Sequence, residues 1–227
     1  MTPKSILIAG SGQAAELIFT QLAEDDRYRA TAFVADLEAG SKDVREFCNL
    51  PVLTLDEIRE APASQSRDVI IAVGYRNLNR NRENFYQRIC AAGLRAISYV
   101  HPRAIVSRSA SIGVGSIIMA GSVIEPFAKI GEDSVIWSNC TIAHHSIVGS
   151  HCWVAAGTVI SGHAEIHDNC FVGVGSTVTN RVVVDKFSIV GAGVVLSKNV
   201  APFSVMLRES AEPIGVSSER YSRFLDD

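Results

Sequence analysis

From Val106 to Leu196 a branched aliphatic side chain recurs at every sixth position, sixteen times and without an insertion. A helix repeats its apolar face every three to four residues and a strand every two. A period of six belongs to short strands separated by turns, stacked as a solenoid. Three hexapeptides make one triangular coil, so positions eighteen apart stack as parallel strands about 4.8 Å from each other. The aliphatics point inward from the flat sides. A small residue stands two positions before each, from Ala104 through Ser116, Cys140, Cys152 and Ser176 to Ser188, with only Val182 and Val194 larger. Small groups fit the tight corners, where bulk would overpack. The reading for 101–200 is an all-β parallel β-helix.

The first hundred residues read differently. Residues 5–9 (SILIA) form a compact apolar strand, Gly10-Ser11-Gly12 a tight turn, and 13–23 a helix. Second and third strands fall at 30–35 and 68–73, with a short helix at 55–60, an amphipathic helix at 77–92, and an extended lead into the coils at 96–100. Strands alternating with helices imply a small α/β, Rossmann-like domain over 1–100. Residues 201–227 break the six-residue period and are expected to cap the last coil, whose strand edges would otherwise stay unpaired.

The turn Gly10-Ser11-Gly12-Gln13-Ala14-Ala15 fits a phosphate-binding pattern, in which glycines let backbone amides approach an anion and the following helix adds a favourable dipole. Asp36 after the second strand can accept hydrogen bonds from a ribose or sugar, and Gly74 and Asn77 follow the third strand. A dinucleotide site uses two mononucleotide halves, and this domain has room for one. A nucleotide-linked sugar therefore fits better than NAD. A tight turn without a ligand remains the alternative for Gly10 and Gly12, and a purely structural role is the alternative for Asp36, Gly74 and Asn77.

A net charge of -3 gives no electrostatic case for nucleic acid or an anionic membrane. The N-terminus shows neither a signal-peptide pattern nor a long apolar run, so a cytoplasmic location is expected. The five cysteines lack zinc or CxxC spacing. Cys140, Cys152 and Cys170 fall on corner positions and read as packing residues.

Columns of residues eighteen apart distinguish the sides of the solenoid. Ile117, Val135, Trp153, Phe171 and Ile189 form an apolar outer stripe, which predicts an interface and a closed homotrimer. Trp153 is also a candidate for contact with a cofactor. The column Ala156, Val174 and Ala192, with Gly162 nearby, is small enough to seat a pantetheine arm, with side-chain packing as the alternative. His144 and His145 stand together on an outward turn, with His163 stacked against His145. A histidine titrating near neutrality can take a proton from an attacking amine or hydroxyl.

These features together resemble the bacterial nucleotide-sugar acyltransferases of the NeuD/PglD type, which are left-handed β-helix enzymes with a small N-terminal Rossmann-like domain. The resemblance spans nearly the whole chain. It rests on GSGQAA after the first strand, Asp36 after the second, IAVG with Asn77, HPRAIVSRSASIG at the start of the coils and IAHHSIVG in mid-solenoid. It implies a homotrimer that binds a nucleotide-linked amino-deoxy sugar in the N-terminal domain and acetyl-CoA, or another acyl-CoA, between solenoids, without a metal. It places His144 as general base, with His145 beside it, for N-acylation in lipopolysaccharide or other surface-glycan biosynthesis. O-acetylation of the sialic-acid type is the alternative. Three departures stand out: His145 where an acidic residue is usual, Gly12-Gln13 where Gly-His is common, and MLRESAEPIG in place of Gly-x-Pro-Ala near the adenine of CoA.

Two readings come from other classes. A γ-type carbonic anhydrase shares the solenoid and needs histidines converging on zinc, typically including two separated by five positions. No histidine pair here has that separation. A non-catalytic binding protein would bind nucleotide-sugar without turnover.

Overall fold

The computed structural model describes residues 2–35, 45–61, 66–213 and 215–221, so Asp36 lies outside the described residues. The chain begins with β1 (Lys4–Ala9), β2 (Tyr28–Val34), β3 (Glu46–Phe47), β4 (Leu50–Leu53), β5 (Asp68–Ile71) and β6 (Arg95–Ala96), in the order β3-β4-β2-β1-β5-β6. Among the described residues only β3 and β4 pair antiparallel, as a hairpin that the sequence reading did not anticipate. The parallel neighbours require crossovers. These run through α1 (Gln13–Ala23), α2 (Leu55–Glu60) and α3 (Arg80–Ala91).

The alternation of side chains along β1 explains its continuous apolar run. Ile6 and Ile8 face Ile18 and Leu22 of α1, whereas Leu7 and Ala9 face Ile58 of α2 and Phe85 and Ile89 of α3. A strand covered on both faces has no polar position to show. Helix α2 starts at a capping box: Thr54 Oγ1 accepts from the Glu57 amide at 3.2 Å, and Glu57 Oε2 accepts from the Thr54 amide at 2.8 Å. Helix α3 starts later than residue 77 because Asn77, Leu78 and Asn79 have φ of 54°, 50° and 63°, a left-handed turn that no helix continues through.

The second half winds into three flat faces of two-residue strands. The first face carries Ile117–Ile118, Val135–Ile136, Trp153–Val154 and Phe171–Val172, the second Val123–Ile124, Thr141–Ile142 and Val159–Ile160, and the third Lys129–Ile130, Ile147–Val148 and Glu165–Ile166. Strand partners are eighteen residues apart and parallel, as in Ile118 with Ile136 and Ile124 with Ile142. The sixth-position aliphatics from Ile118 to Leu196 fill the core, while Val106 and Ile112, on the first coil, are half-buried.

The corner residues do more than save space. Ser116 Oγ donates to the Gly131 carbonyl, Ser134 Oγ to Gly149 and Ser176 Oγ to Gly191, each at 2.7 Å and each fifteen residues ahead. Cys140 and Cys152 thiols make the same bond at 3.1 Å, to Ala155 and His167. A buried carbonyl left unpaired is costly. At these corners serine and cysteine add that donor, whereas corners such as Ala128 and Ala164 are filled by smallness alone.

The apolar stripe is not an outer surface. Ile117, Val135 and Trp153 are buried in the same cluster as Ile6, Ile8 and Phe33, because the N-terminal sheet and α1 lie against the first face. The expectation that this stripe serves as the trimer contact is therefore corrected: the chain covers it with its own first hundred residues. Arg82 of α3, fully buried, holds the two halves together. Its Nη2 lies 2.7 Å from Asp133 Oδ1, its Nη1 donates to the Ile71 carbonyl at 2.7 Å and its Nε to the Asp133 carbonyl at 2.9 Å. Burial pushes the Asp133 carboxyl up, against the pull of Arg82 and of His151, whose Nδ1 lies 3.0 Å from Oδ2. Asn79 Nδ2 adds a bond to the Cys170 carbonyl at 3.1 Å.

Beyond the last full coil, Val205–Met206 adds a strand to the first face, and Val200 bridges Val184 on the third. Among the described residues no helix is long and apolar enough to cross a membrane.

Candidate active site

His144 and His145 lie on the edge where the second face turns into the third, between Thr141–Ile142 and Ile147–Val148. Both are exposed. His145 takes φ 59°, and the residues one coil before and after it, Phe127 and His163, take 64° and 58°. This left-handed corner repeats every coil, so the rings stack along the edge. His145 lies parallel to His163, with centroids 4.9 Å apart and planes at 11°, and 4.8 Å from Phe127. His144 stands roughly perpendicular to both histidines.

His144 Nδ1 and His145 Nδ1 are 3.2 Å apart. One must donate and the other accept when both rings are neutral. With the proton on His144 Nδ1, His145 orients the ring and His144 Nε2 is left as a free base. The Glu125 carboxylate does not replace the acidic residue missing from position 145. Glu125 Oε2 accepts instead from the His144 backbone amide at 2.8 Å, fixing the turn rather than the imidazole. Glu125 escaped the sequence reading, although its place one coil back from Ala143 is legible in the eighteen-residue spacing. The His163 imidazole is held below its usual value, first by desolvation and then by Arg181 and the other two histidines.

Gly162 makes room for the base. A Cβ there would stand 2.7 Å from His144 Cε1 and 2.8 Å from Nε2. Gly162 is itself buried. The structure places it under the imidazole, where it packs against the ring.

The other cofactor candidates fall elsewhere. Trp153 is only 6 % exposed, packed 5.5 Å from Trp137 and 5.1 Å from Tyr75, and so is closed to a cofactor. Val174 is 54 % exposed and Ala192 is exposed. They line the edge between the first and second faces, opposite the histidine edge across the second face.

The N-terminal candidates gather at the carboxyl edge of the sheet. Gly10 donates to the Val34 carbonyl at 2.8 Å and Ala72 to the Ala9 carbonyl at 2.8 Å, which brings the Gly10 turn beside the segment leading to Gly74. Gly10 has a structural reason of its own: φ is 115°, and a Cβ would meet the Ala72 carbonyl oxygen at 2.8 Å. Around Gly12 and Gly74 space is open. Ser11, Gln13 and Asn77 are exposed, with Asn77 on the turn before α3. On the same edge a cavity of about 320 Å³ is lined by Ala35, Thr54, Arg59 and Arg88 among others.

Family comparison accords with this geometry. The six-repeat bacterial transferase hexapeptide model matches residues 109–144, 127–162 and 145–180, and the hexapeptide repeat of succinyl-transferase matches 164–198. Together with the stacked parallel sheets, these repeats fit a left-handed β-helix of hexapeptide repeats, and likeness to solved sugar acetyltransferases supports an acyltransferase. The resemblance to the bacterial nucleotide-sugar acyltransferases stands. Among solved structures, PerB from Caulobacter crescentus in complex with CoA and GDP-perosamine is similar over 89 % of this chain and 93 % of its own, at 26 % identity and a TM-score of 0.78. The acetyltransferase domain of PglB from Neisseria gonorrhoeae is similar over 88 % and 95 %, at 24 % and 0.75. WeeI from Acinetobacter baumannii AYE is similar over 90 % and 97 %, at 20 % and 0.76. Comparison with curated proteins gives no match.

Proposed function

We propose that this chain transfers an acyl group, acetyl in the first instance, from acyl-CoA to the amino group of a nucleotide-linked amino-deoxy sugar. His144 is the general base. The observation that carries the reading is an exposed imidazole seated over Gly162 with its Nδ1 3.2 Å from His145 Nδ1, which leaves Nε2 for the substrate. The reaction follows from that placement. The sugar amine attacks the thioester carbonyl as His144 Nε2 takes its proton, giving a tetrahedral oxyanion. Collapse breaks the carbon–sulfur bond, and the departing thiolate recovers the proton from His144. The bound ligands of PerB support this choice of co-substrate and acceptor class.

In this proposal residues 1–100 form a Rossmann-like domain that holds the nucleotide-sugar at Gly10, Ser11, Gly12, Gln13, Gly74 and Asn77, with Asp36 a candidate on the sequence alone. Residues 101–200 carry the chemistry, and 201–227 finish the coil. The histidine edge and the Val174–Ala192 edge flank the second face, where Ile105 and Val195 are each 67 % exposed. A homotrimer packed through that face would set one chain's small-residue edge beside another chain's His144, so the acyl-CoA would lie between copies.

Thiol release from acetyl-CoA, measured with nucleotide-linked 4-amino and 3-amino sugars and with their hydroxyl counterparts, separates N- from O-transfer. His144→Ala should lower kcat by about 10²- to 10⁴-fold with the oligomer intact. Near-normal turnover in that variant would sink the assignment.

A further inference from the structure

We infer that His144, His145 and His163 form a binding site for a divalent transition-metal ion of the zinc class. Each offers one imidazole nitrogen, and these nitrogens all lie within 4.8 Å of one another. Around a tetrahedral ion with bonds of about 2.0–2.1 Å, ligand nitrogens stand roughly 3.3 Å apart. His144 Nδ1 and His145 Nδ1 already stand 3.2 Å apart. His163 completes the set by closing about 1.5 Å, a side-chain rotation open to an exposed residue. The left-handed corners at residues 145 and 163 repeat with the coil and bring the two rings within 4.9 Å; because the rings are stacked at 11°, one must rotate about its χ angles before both nitrogens converge on an ion.

The donor set selects the ion. Three imidazoles without a carboxylate favour zinc, nickel or copper over magnesium or calcium, which take oxygen ligands. Glu125 is turned to the His144 backbone. Three protein ligands leave a fourth position open. This geometry uses the histidine that stands where an acidic residue would otherwise be expected, so the site belongs to this chain's own departure. An ion on His144 Nδ1 leaves that ring's proton on Nε2, the proposed base atom, and so blocks proton transfer. That consequence rests on the acyltransferase reading, whereas ion binding does not.

The test uses the intact chain and metal alone. Equilibrium dialysis against Zn²⁺, and visible absorption with Co²⁺, should give one ion per chain and the intense bands of tetrahedral cobalt. His145→Asn and His163→Asn each remove one of three equivalent ligands, about a third of the binding free energy, so affinity at a micromolar site should fall about a hundredfold. Asparagine tolerates the left-handed corner, so both variants should fold. His167→Asn, in the separate pair with Asp185, should bind as wild type. Less than one ion per chain, six-coordinate cobalt spectra, unchanged affinity in the first two variants or lost affinity in the third would each overturn the site. Zn²⁺ should also suppress thiol release and a chelator restore it. An ion-binding chain without transferase activity would refute the acyltransferase reading and keep the metal site; an active chain that binds no ion would do the reverse.

Discussion

Gly162→Ala is the sharpest probe of how the base is seated. The backbone at Gly162 is not in the left-handed region, so alanine is conformationally allowed there. The new Cβ, however, would sit 2.7 Å from His144 Cε1, 2.8 Å from Nε2 and 3.3 Å from Nδ1. Ordinary carbon contacts begin near 3.5 Å, so the ring must withdraw by roughly 1 Å. That displacement pulls His144 Nδ1 away from His145 and moves Nε2 off the line of proton transfer. A misplacement of about 1 Å costs about a hundredfold in rate. Stability should hardly change, within about 0.5 kcal/mol, because the group that yields is an exposed side chain. Gly131→Ala is the contrast: its Cβ would meet the Gly149 carbonyl carbon at 2.5 Å, backbone against backbone, and overpacking of that kind costs about 1–3 kcal/mol. The assays are kcat/KM by thiol release, denaturant unfolding, and imidazole ¹⁵N shifts to follow the His144–His145 contact. A Gly162→Ala protein with kcat/KM within twofold of wild type, or one as unstable as Gly131→Ala, would refute the reasoning.

Two further predictions concern the junction and the first sheet. Arg82→Met leaves the buried Asp133 carboxylate without its main partner and should cost about 3–5 kcal/mol in denaturant unfolding, whereas the double variant Arg82→Met/Asp133→Leu should recover most of that loss. Asp68 is held below its ordinary carboxylate value, first by a hydrogen bond from Arg95 and also by Lys4. A depressed folded-state pKa gives stability that is present above the unfolded value, near 3.8, and lost as pH falls through the lower folded value. Stability measured by thermal unfolding from pH 6 to pH 2 should therefore fall less steeply in Asp68→Asn; an acid limb of unchanged slope would refute the assignment.

The coil architecture was legible because one rule, the sixth-position aliphatic, is enforced by the same core at every turn. The corner bonds were half legible. Smallness at Ser116 or Cys152 was visible, but the need for a donor follows from a carbonyl fifteen residues ahead that only the wound chain brings near. The apolar column through Trp153 correctly marked a covered surface and not its cover, since periodicity says that a face is dry without naming what lies on it. The Arg82–Asp133 pair left no local trace, being joined across fifty-one residues by docking alone. At the candidate site the adjacent histidines were plain in the sequence. The clearance over Gly162 and the backbone role of Glu125 were not, because they depend on where the His144 ring and the Glu125 carboxylate point.

The anchors at Asp133 and Cys170 are about two coils apart, and both are gripped by one rigid turn, from Asn79 to Arg82. The N-terminal unit thereby works as a gauge on the solenoid. An eighteen-residue coil is a natural unit of gain or loss in such a chain, since each coil bonds only to its neighbours. Between the two anchors that freedom is gone: an added coil would part Asn79 from its carbonyl by about 4.8 Å. Divergence in solenoid length is thus steered past Cys170, and the coils that carry His144 and His163 keep a fixed number between the grips.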